Sequence, residues 1–337
     1  MMQKAEKVIS HNGEQNVPEF GDAAVCSAPG NFSVEQVRVG TPGENEVLVR
    51  VEGCGVCNSN LPLWEGREWF TYPMEPGSPG HEGWGTVEKC GKGADKFALG
   101  DRVTFLSSHA FSAFDIVHKD NIVALPSELD GQPFPGEPLG CAVNVVERAD
   151  VGVNDTVAVV GTGFMGVLVA RLCHLKGARV IAVSRRNSSL KIARQYGVDE
   201  AVKMEDYWNV IDQINKLTDG RGCSRVIEAT GNQMYLDLAS EIIATRGRLV
   251  IAGYHQDGLR SVNMQNWNWK GIDVINAHER DNSVYIKGIA KAVELVANGS
   301  IDLTPLLTHF YSMSSLNQAF EKMRQCPEGF IKAVVLI

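Results

Sequence analysis

One segment limits the possible folds of this chain more than any other. Residues 156–186, "TVAVVGTGFMGVLVARLCHLKGARVIAVSRR", contain an apolar run, a glycine turn, about a dozen residues of helical pattern and a second apolar run. This order is typical of a βαβ unit, in which a helix connects two parallel strands of a doubly wound sheet. The segment therefore predicts an α/β domain built on a parallel sheet.

The alternation of strand and helix patterns continues beyond this unit. Helical patterns cover 188–197, 207–220 and 234–247, and strand patterns cover 200–204, 223–231, 248–255 and 270–278. Together with the two strands of the βαβ unit, these make six strands, which is the number in a complete dinucleotide-binding sheet. An amphipathic helix over 285–301 and a last strand over 330–337 follow, and that strand could rejoin the first part of the chain.

The chain before about residue 143 has a different pattern. Short runs of β-type residues are broken by Gly, Pro and Asn, and they lie at 22–29, 32–40, 45–53, 83–91, 100–107 and 113–126. Alternation such as Val-Leu-Val-Arg-Val predicts half-buried strands, and the density of turns predicts an antiparallel, barrel-like domain. Residues 1–20 are polar and predict a loosely held extension.

Charge and cysteine content restrict the possible partners. The net charge is −8, and no dense run of Lys and Arg occurs, which argues against nucleic acid and membranes as partners and favours a small molecule. We find neither a signal peptide nor a membrane-spanning apolar stretch and predict a cytoplasmic location. Eight scattered cysteines are then expected to be thiols or metal ligands.

The glycine turn predicts a nucleotide cofactor. Gly161, Gly163 and Gly166 have the spacing G-x-G-x-x-G, with Phe164 and Met165 between the last two, and they open a helix directly after a strand. Glycines at these positions allow the tight turn, the approach of backbone to a pyrophosphate and close packing of helix on strand. The alternative is a purely structural glycine turn.

The end of the second strand bears on the choice between NAD(H) and NADP(H). An Asp or Glu is expected there for binding the ribose hydroxyls. This chain instead has Ser184, Arg185 and Arg186, so no carboxylate repels a 2′-phosphate, and two guanidinium groups could pair with it. NADP(H) is favoured, with NAD(H) as the alternative.

Residues with the chemistry of zinc ligands are spread through the first domain. Cys57 precedes His81 and Glu82 by about 24 residues, and Glu137 and Cys141 come just before the dinucleotide domain, where a cleft would form. Zinc binds thiolate, imidazole and carboxylate ligands, and a catalytic zinc site keeps one position open. The alternative is that these cysteines are buried in the core and that the histidine binds no metal. Cys54 and Cys57 alone would also be compatible with a redox dithiol or half of a zinc knuckle.

Several motifs together resemble a known family. The segments "GCGVCNSNL", "PGSPGHEGWGTV", "GDRV", "EPLGCAVN", "VAVVGTGFMG" and "GFIKAVVLI" occur in the order seen in zinc-containing medium-chain dehydrogenases/reductases, the alcohol and sorbitol dehydrogenase superfamily. The match covers roughly residues 22–337. It implies a GroES-like β-barrel catalytic domain over 1–142, a Rossmann domain over 143–283, and a segment 284–337 that returns to the catalytic domain.

The resemblance also assigns roles to residues. It implies that Cys57 and His81 bind catalytic zinc, that Glu82 is a ligand or exchanging near-ligand, and that Glu137 corresponds to a polyol dehydrogenase carboxylate, with Cys141 as the alternative. Ser59 is the relay hydroxyl that carries the proton outward. Strand-end residues would hold the nicotinamide end of the cofactor, and they are Ala229, Thr230, Gly231, Ala252, Gly253, Tyr254 and Ala277.

Two departures from the family pattern stand out. Members usually have Asp where this chain has Asn60, which adds no negative charge behind the histidine and favours a more electrophilic or more weakly bound zinc. Between "GDRV" and "FDIVHKD" lie only about ten residues, too few for a structural-zinc lobe with four cysteines. One zinc per chain is therefore expected.

The implied reaction is the interconversion of an alcohol and its carbonyl by hydride transfer to a nicotinamide. A polyol or sugar-like substrate is favoured over a simple alkanol, and His278 or Glu279 could contact it. The alternatives are a zinc-free quinone or enoyl reductase and a non-catalytic NADPH-binding protein. Trp267 and Trp269 are expected in packing or in subunit contacts of a homodimer or homotetramer.

Overall fold

The structure, a computed structural model, describes residues 17–337, so most of the predicted N-terminal extension lies outside the described residues. None of the helices within 17–337 combines the length and apolar character needed to cross a bilayer. Strands are numbered in chain order: β1 (Phe20–Ala28), β2 (Asn31–Arg38), β3 (Glu46–Val56), β4 (Gly83–Cys90), β5 (Arg102–Phe105), β6 (Phe114–His118), β7 (Ile122–Ala124), β8 (Thr156–Val160), β9 (Arg179–Ser184), β10 (Glu200–Lys203), β11 (Cys223–Glu228), β12 (Ile243–Ile251), β13 (Asp273–Asn276), β14 (Leu307–Ser312) and β15 (Lys332–Leu336).

The helices are numbered in the same way: α1 (Leu61–Trp64), α2 (Gly136–Ala149), α3 (Phe164–Leu175), α4 (Asn187–Gln195), α5 (Tyr207–Leu217), α6 (Gln233–Ile242), α7 (Met264–Lys270), α8 (Asn282–Ala297) and α9 (Leu316–Gln325).

The second half of the chain forms a six-stranded parallel sheet in the order β10-β9-β8-β11-β12-β13. Its central strand β8 is almost entirely buried because helices cover both faces, and such strands are therefore apolar throughout. The order reverses between β8 and β11, which is where a doubly wound sheet opens a crevice at the carboxyl ends of its strands. The predicted α/β fold with a Rossmann sheet is confirmed.

Five strands of the first half and the two C-terminal strands form a seven-stranded sheet. Its path is β14-β15-β3-β4-β5-β7, and β6 also pairs with β3. Strands β1 and β2 form a separate hairpin. The C-terminal strand β15 pairs antiparallel with β3, so Val335 lies opposite Cys54, and the end of the chain belongs to the sheet of the first half.

Several helices differ from the sequence prediction, and the short helices α1 and α7 are among those it did not contain. The helix predicted over 234–247 ends at Ile242, because Ile243 pairs with Cys223 of β11 and the chain continues as β12. Helices α2 and α9 were not predicted, although each has apolar residues at i, i+4 and i+7: Leu139, Val143 and Val146 in α2, and Leu316, Phe320 and Met323 in α9.

Helix α2 connects the two halves of the molecule. It runs without a break through the predicted boundary at 142, and α8 likewise runs through the one at 283. The two helices pack closely, since a Cβ added at Gly140 would lie 2.6 Å from Cγ1 of Ile289. The two sheets therefore face each other across a cleft that α2 spans, and the carboxyl ends of the parallel strands open into it.

Candidate active site

Antiparallel pairing of β3 with β4 brings three of the predicted metal ligands together. Cys57 follows the end of β3, and His81 and Glu82 directly precede β4, with Cys54 opposite Gly83 in the register. One ligand atom from each of Cys57, His81 and Glu82 lies within 4.8 Å of the others. Within residues 17–337 this is the only group of three or more such side chains.

The histidine is fixed through its Nδ1 atom. His81 Nδ1 donates to the carbonyl oxygen of Pro79 at 3.0 Å, which leaves Nε2 as the free ring nitrogen. Asn60 Nδ2 donates to the same Pro79 oxygen at 3.1 Å, which an Asp could not do, and it also lies 3.4 Å from His81 Nδ1. Asn60 therefore contacts both the ring and the carbonyl oxygen that holds it.

The Cys57 side chain is the second fixed point of this group. Ser59 Oγ lies 3.2 Å from Cys57 Sγ, with the hydroxyl as donor. Burial disfavours a charged imidazole, but the adjacent Cys57, with Glu137 and Glu82, raises the pKa of His81 to about 10. By contrast, Cys54 is fully buried in the core, and burial raises the pKa of its thiol well above the usual range.

Glu82 is paired with a lysine that the sequence prediction missed. Lys332 Nζ lies 2.6 Å from the fully buried carboxylate of Glu82, and also 5.1 Å from the ring centre of Phe164 in the glycine turn. Burial disfavours the ammonium, but Glu82 and its neighbours raise the pKa of Lys332. A lone lysine in the apolar run "FIKAVVLI" was the available signal, because a buried charge requires a partner.

Glu137 lies near this group, at the start of α2, where Gly136 N–H donates to Thr104 Oγ1 of β5 at 3.1 Å. Its Oε1 accepts a hydrogen bond of 3.1 Å from Cys141 Sγ, one helical turn later. Burial raises the pKa of Glu137. Glu137 and Cys141 line the same cavity as Cys57 and His81, but neither belongs to the group within 4.8 Å.

The donor set fits zinc. A thiol, an imidazole nitrogen and a carboxylate within mutual reach match the ligands of catalytic zinc sites, which use three protein ligands and leave a fourth position open. Glu137 and Cys141 supply further donors in the same cavity.

A cavity of about 690 Å³ connects this group to the dinucleotide sheet. Most of the predicted cofactor residues line it: Gly163, Phe164, Met165, Gly166, Arg186, Ala229, Thr230, Ala252, Gly253 and Tyr254. Five others do not, and they are Gly161, Ser184, Arg185, Gly231 and Ala277. Gly161 lies beneath the turn with φ +96°, where a Cβ would meet Thr230 at 2.4 Å. Ala277 is buried behind the cavity wall.

The segment after β13 places one of its two predicted residues in the cavity. His278 lines it and stacks on Tyr254, with ring centres 5.8 Å apart. Glu279 does not reach the cavity, because its Oε1 accepts hydrogen bonds from the backbone N–H groups of Arg280 and Asp281 at 2.7 and 3.0 Å. The sequence pattern alone could not show which of His278 and Glu279 lines the cavity. Trp267 packs within the chain and donates to Ser240 Oγ at 2.9 Å, whereas Trp269 is exposed.

The two arginines after β9 also differ. Arg185 is exposed. Arg186 Nη1 donates to the carbonyl oxygens of Phe330 and, at 3.3 Å, Pro327, so part of its guanidinium is already bound by the C-terminal segment. Only Nη1 is used in this way and Arg186 lines the cavity, so the pairing of both arginines with a 2′-phosphate stays a prediction.

A second cavity of about 430 Å³ shares His81 and Glu137 with the first. Its other lining residues are mostly polar: Ser107, Ser108, His109, His118, Asn121, Asn282 and Tyr285, with Leu106, Ile116 and Val117. Hydroxyl, imidazole and amide groups at this density suit a ligand that carries several hydrogen-bonding groups.

Two family models match the chain. The alcohol dehydrogenase GroES-like domain matches residues 43–131, and the zinc-binding dehydrogenase model matches residues 165–297. Among curated relatives, a sorbitol dehydrogenase of Halalkalibacterium halodurans is 25% identical over 328 residues, covering 88% of this chain and 93% of the relative. A D-arabinitol dehydrogenase of Uromyces fabae is 25% identical, covering 94% of this chain and 99% of the relative.

Solved structures share the fold. A zinc-binding dehydrogenase of Sinorhizobium meliloti 1021, bound to NADP, superimposes with a TM-score of 0.82 at 22% identity, covering 95% of this chain and 100% of that chain. A short chain alcohol dehydrogenase of Escherichia coli CFT073, complexed with NADH, has the same TM-score of 0.82 at 20% identity, again covering 95% of this chain and 100% of that chain.

Proposed function

The chain belongs to the zinc-type medium-chain alcohol dehydrogenase superfamily, and from this we propose that it is an NAD(P)(H)-dependent oxidoreductase that interconverts an alcohol and its aldehyde or ketone. The observation that carries the proposal is the position of the Cys57, His81 and Glu82 group, which lies in the same cavity as the glycine turn. A metal site and a dinucleotide site in one cavity would allow hydride transfer between the nicotinamide and a substrate whose oxygen is polarised by the metal.

In this proposal Cys57, His81 and Glu82 hold zinc, and Glu137, which lines the same cavity, completes the set, with Cys141 as the alternative. When bound, zinc supplies a Lewis acid for the substrate oxygen, and the nicotinamide accepts the hydride. Ser59 accepts the hydroxyl proton of the alcohol while its own hydroxyl proton leaves to water in the cavity, and its 3.2 Å contact with Cys57 places it beside the metal group. Lys332 neutralises Glu82 and fixes it beside Phe164.

We propose a polyol or sugar-like alcohol as the substrate class. The polar lining of the 430 Å³ cavity supports this, because several hydroxyl groups of one ligand could be hydrogen-bonded there. Curated relatives named for sorbitol and D-arabinitol support the same class.

For the cofactor we propose that NADP(H) binds more tightly than NAD(H). The support is the absence of a carboxylate at the end of β9, together with the exposed guanidinium of Arg185. Gly163 to Gly166 hold the pyrophosphate, and Ala229, Thr230, Gly253 and Tyr254 contact the nicotinamide end, with Ala277 behind them.

We further propose a homo-oligomer in a reducing compartment such as the cytoplasm. All eight cysteines are free of disulfides. Large apolar side chains are exposed on α7, the helix that directly precedes the edge strand β13, and they are Met264 and Trp269; Leu259 is exposed in the loop before α7. Large apolar groups near a free sheet edge are typical of a protein interface.

Metal analysis of protein purified without chelators tests the proposal. We expect about one zinc per chain, and we expect Cys57→Ala to lose both the zinc and the alcohol dehydrogenase activity. Cys54→Ala is the matched control, three residues away, and should keep both because Cys54 is a buried core side chain. Less than about 0.2 zinc per chain in the wild type, unchanged by Cys57→Ala, would contradict the proposal.

A further inference from the structure

Residues 326–330, here called the return loop, connect α9 to β15 and lie against the turn between β9 and α4. The contacts are specific. Gly329 N–H donates to Ser188 Oγ at 2.9 Å, and Arg186 donates to the carbonyl oxygens of Pro327 and Phe330. The return loop thus holds the first turn of α4, although about 140 residues separate them in sequence.

Glu328 occupies the N-terminus of α4. One carboxylate oxygen accepts from Asn187 N–H at 3.1 Å, and the other accepts from Ser188 N–H at 3.0 Å and from the Ser188 hydroxyl. The residue before the helix, Arg186, provides no side-chain cap, so Glu328 takes that role. These hydrogen bonds lower the pKa of Glu328, which keeps it ionised near neutral pH.

The same turn is the adenosine end of a dinucleotide site. In doubly wound sheets, the residue at the end of the second strand faces the adenosine ribose. Here that strand is β9, and its last residue is Ser184. Arg186 of the turn and Cys326 and Phe330 of the return loop all line the 690 Å³ cavity, so the return loop forms part of its wall at this end.

We propose that Glu328 is a coenzyme-specificity residue that weakens the binding of NADP(H) relative to NAD(H). Its carboxylate uses the helix N–H groups that a 2′-phosphate could otherwise approach, and it places a negative charge beside them. The inference rests on the proposed function, since it requires a dinucleotide in the cavity. The preference between the two cofactors is then a balance between Arg185, which attracts the phosphate, and Glu328, which repels it.

Fluorescence titration of purified protein with NADPH and with NADH tests this role without requiring a substrate. Glu328→Gln removes the charge but keeps one oxygen that can accept from the helix. We expect it to strengthen NADPH binding about tenfold while NADH binding changes less than twofold. Glu328→Asp keeps the charge and should leave the ratio of the two affinities within about threefold of the wild type.

Glu44→Gln is the control for net charge, because Glu44 is exposed between β2 and β3, in the other domain, and its side chain makes no hydrogen bond or ion pair among residues 17–337. It should change neither affinity more than twofold. Thermal melting of each variant reports whether the fold is retained. An equal change in both affinities after Glu328→Gln, or no change in either, would overturn the inference while leaving the proposed function intact. Failure of the wild type to bind either nucleotide would instead overturn the proposed function, and the inference with it.

Discussion

The glycines of the turn after β8 differ in what a side chain would meet. A Cβ at Gly166 would lie 1.8 Å from the carbonyl oxygen of Gly161, so the close packing of α3 on β8 requires glycine there. A Cβ at Gly163 would meet nothing within 4 Å and would extend into the cavity. Gly166 is therefore required for the packing of the fold, and Gly163 leaves space for a ligand.

This difference predicts opposite effects of two matched substitutions. Gly163→Ala should weaken dinucleotide binding at least tenfold and shift the melting temperature by about 1 °C or less, because the added methyl occupies only the pyrophosphate space. Gly166→Ala should destabilise the fold by about 2–3 kcal/mol, because the helix must move to relieve the clash. Fluorescence titration and thermal melting separate the two effects. Equal losses of stability in both variants would contradict the assignment.

At the scale of single residues, prediction from sequence succeeded where a motif set the spacing. Cys57, His81 and Glu82 were all expected at one site, and the structure places them together. Lys332 and Glu328 were missed, because each acts on a residue far away in the sequence: Glu82 for Lys332, and Ser188 for Glu328. No local pattern encodes such a contact.

Among the secondary-structure elements, an ion pair holds β3 and β5 against the segment that leads into α2. Arg102 Nη2 lies 2.7 Å from Glu52 Oε2 and also donates to the carbonyl oxygen of Gln132 at 2.9 Å. Thr86 donates to the same carboxylate at 2.7 Å. Burial alone would raise the pKa of Glu52, but the bonds from Arg102 and Thr86 lower it overall.

Glu52→Gln should therefore have a pH-dependent effect on stability. Since the folded pKa lies below the unfolded value, the ionised carboxylate stabilises the fold at neutral pH, and that contribution is lost as the pH falls through the folded pKa. We expect a loss of about 2 kcal/mol at pH 7, from charge-assisted hydrogen bonds, and progressively less below about pH 4.5. Urea unfolding at several pH values measures this. Glu35→Gln, at an exposed site on β2, should be neutral, and a loss independent of pH would contradict the prediction.

The elements themselves were predicted best where their pattern was longest. The strands β8, β9 and β11 and the helices α3, α5 and α8 lie where sequence periodicity placed them. The first residues of β12 were assigned to a helix because their pairing with β11 is decided by distant residues. Helix α2 was missed because Pro138, Gly136 and Gly140 obscure its apolar spacing.

At the scale of the whole molecule, the exposed apolar groups on α7 and in the loop before it predict an assembly. Leu259 is fully exposed, and Trp269 is 89% exposed. We expect Trp269→Ser to shift the protein from an oligomer to a monomer in light scattering, because it removes a large apolar contact near the free sheet edge. Trp208→Ser, at an exposed tryptophan on α5, is the control and should leave the mass unchanged. A monomeric wild type would contradict the prediction.

The sequence by itself determined the fold class and the chemistry of the ligands, because both depend on residue type at short and regular spacings. Hydrophobic periodicity requires no partner to be recognised, and neither does the spacing of the glycine turn. Only the tertiary structure decided which charges face each other. The pairing of Glu82 with Lys332, the capping of α4 by Glu328 and the hydrogen bonds from Arg186 to the return loop all follow from the return of the C-terminal segment. Electrostatic interactions depend on distance in space, so contacts between residues far apart in the sequence become visible only once the chain has folded.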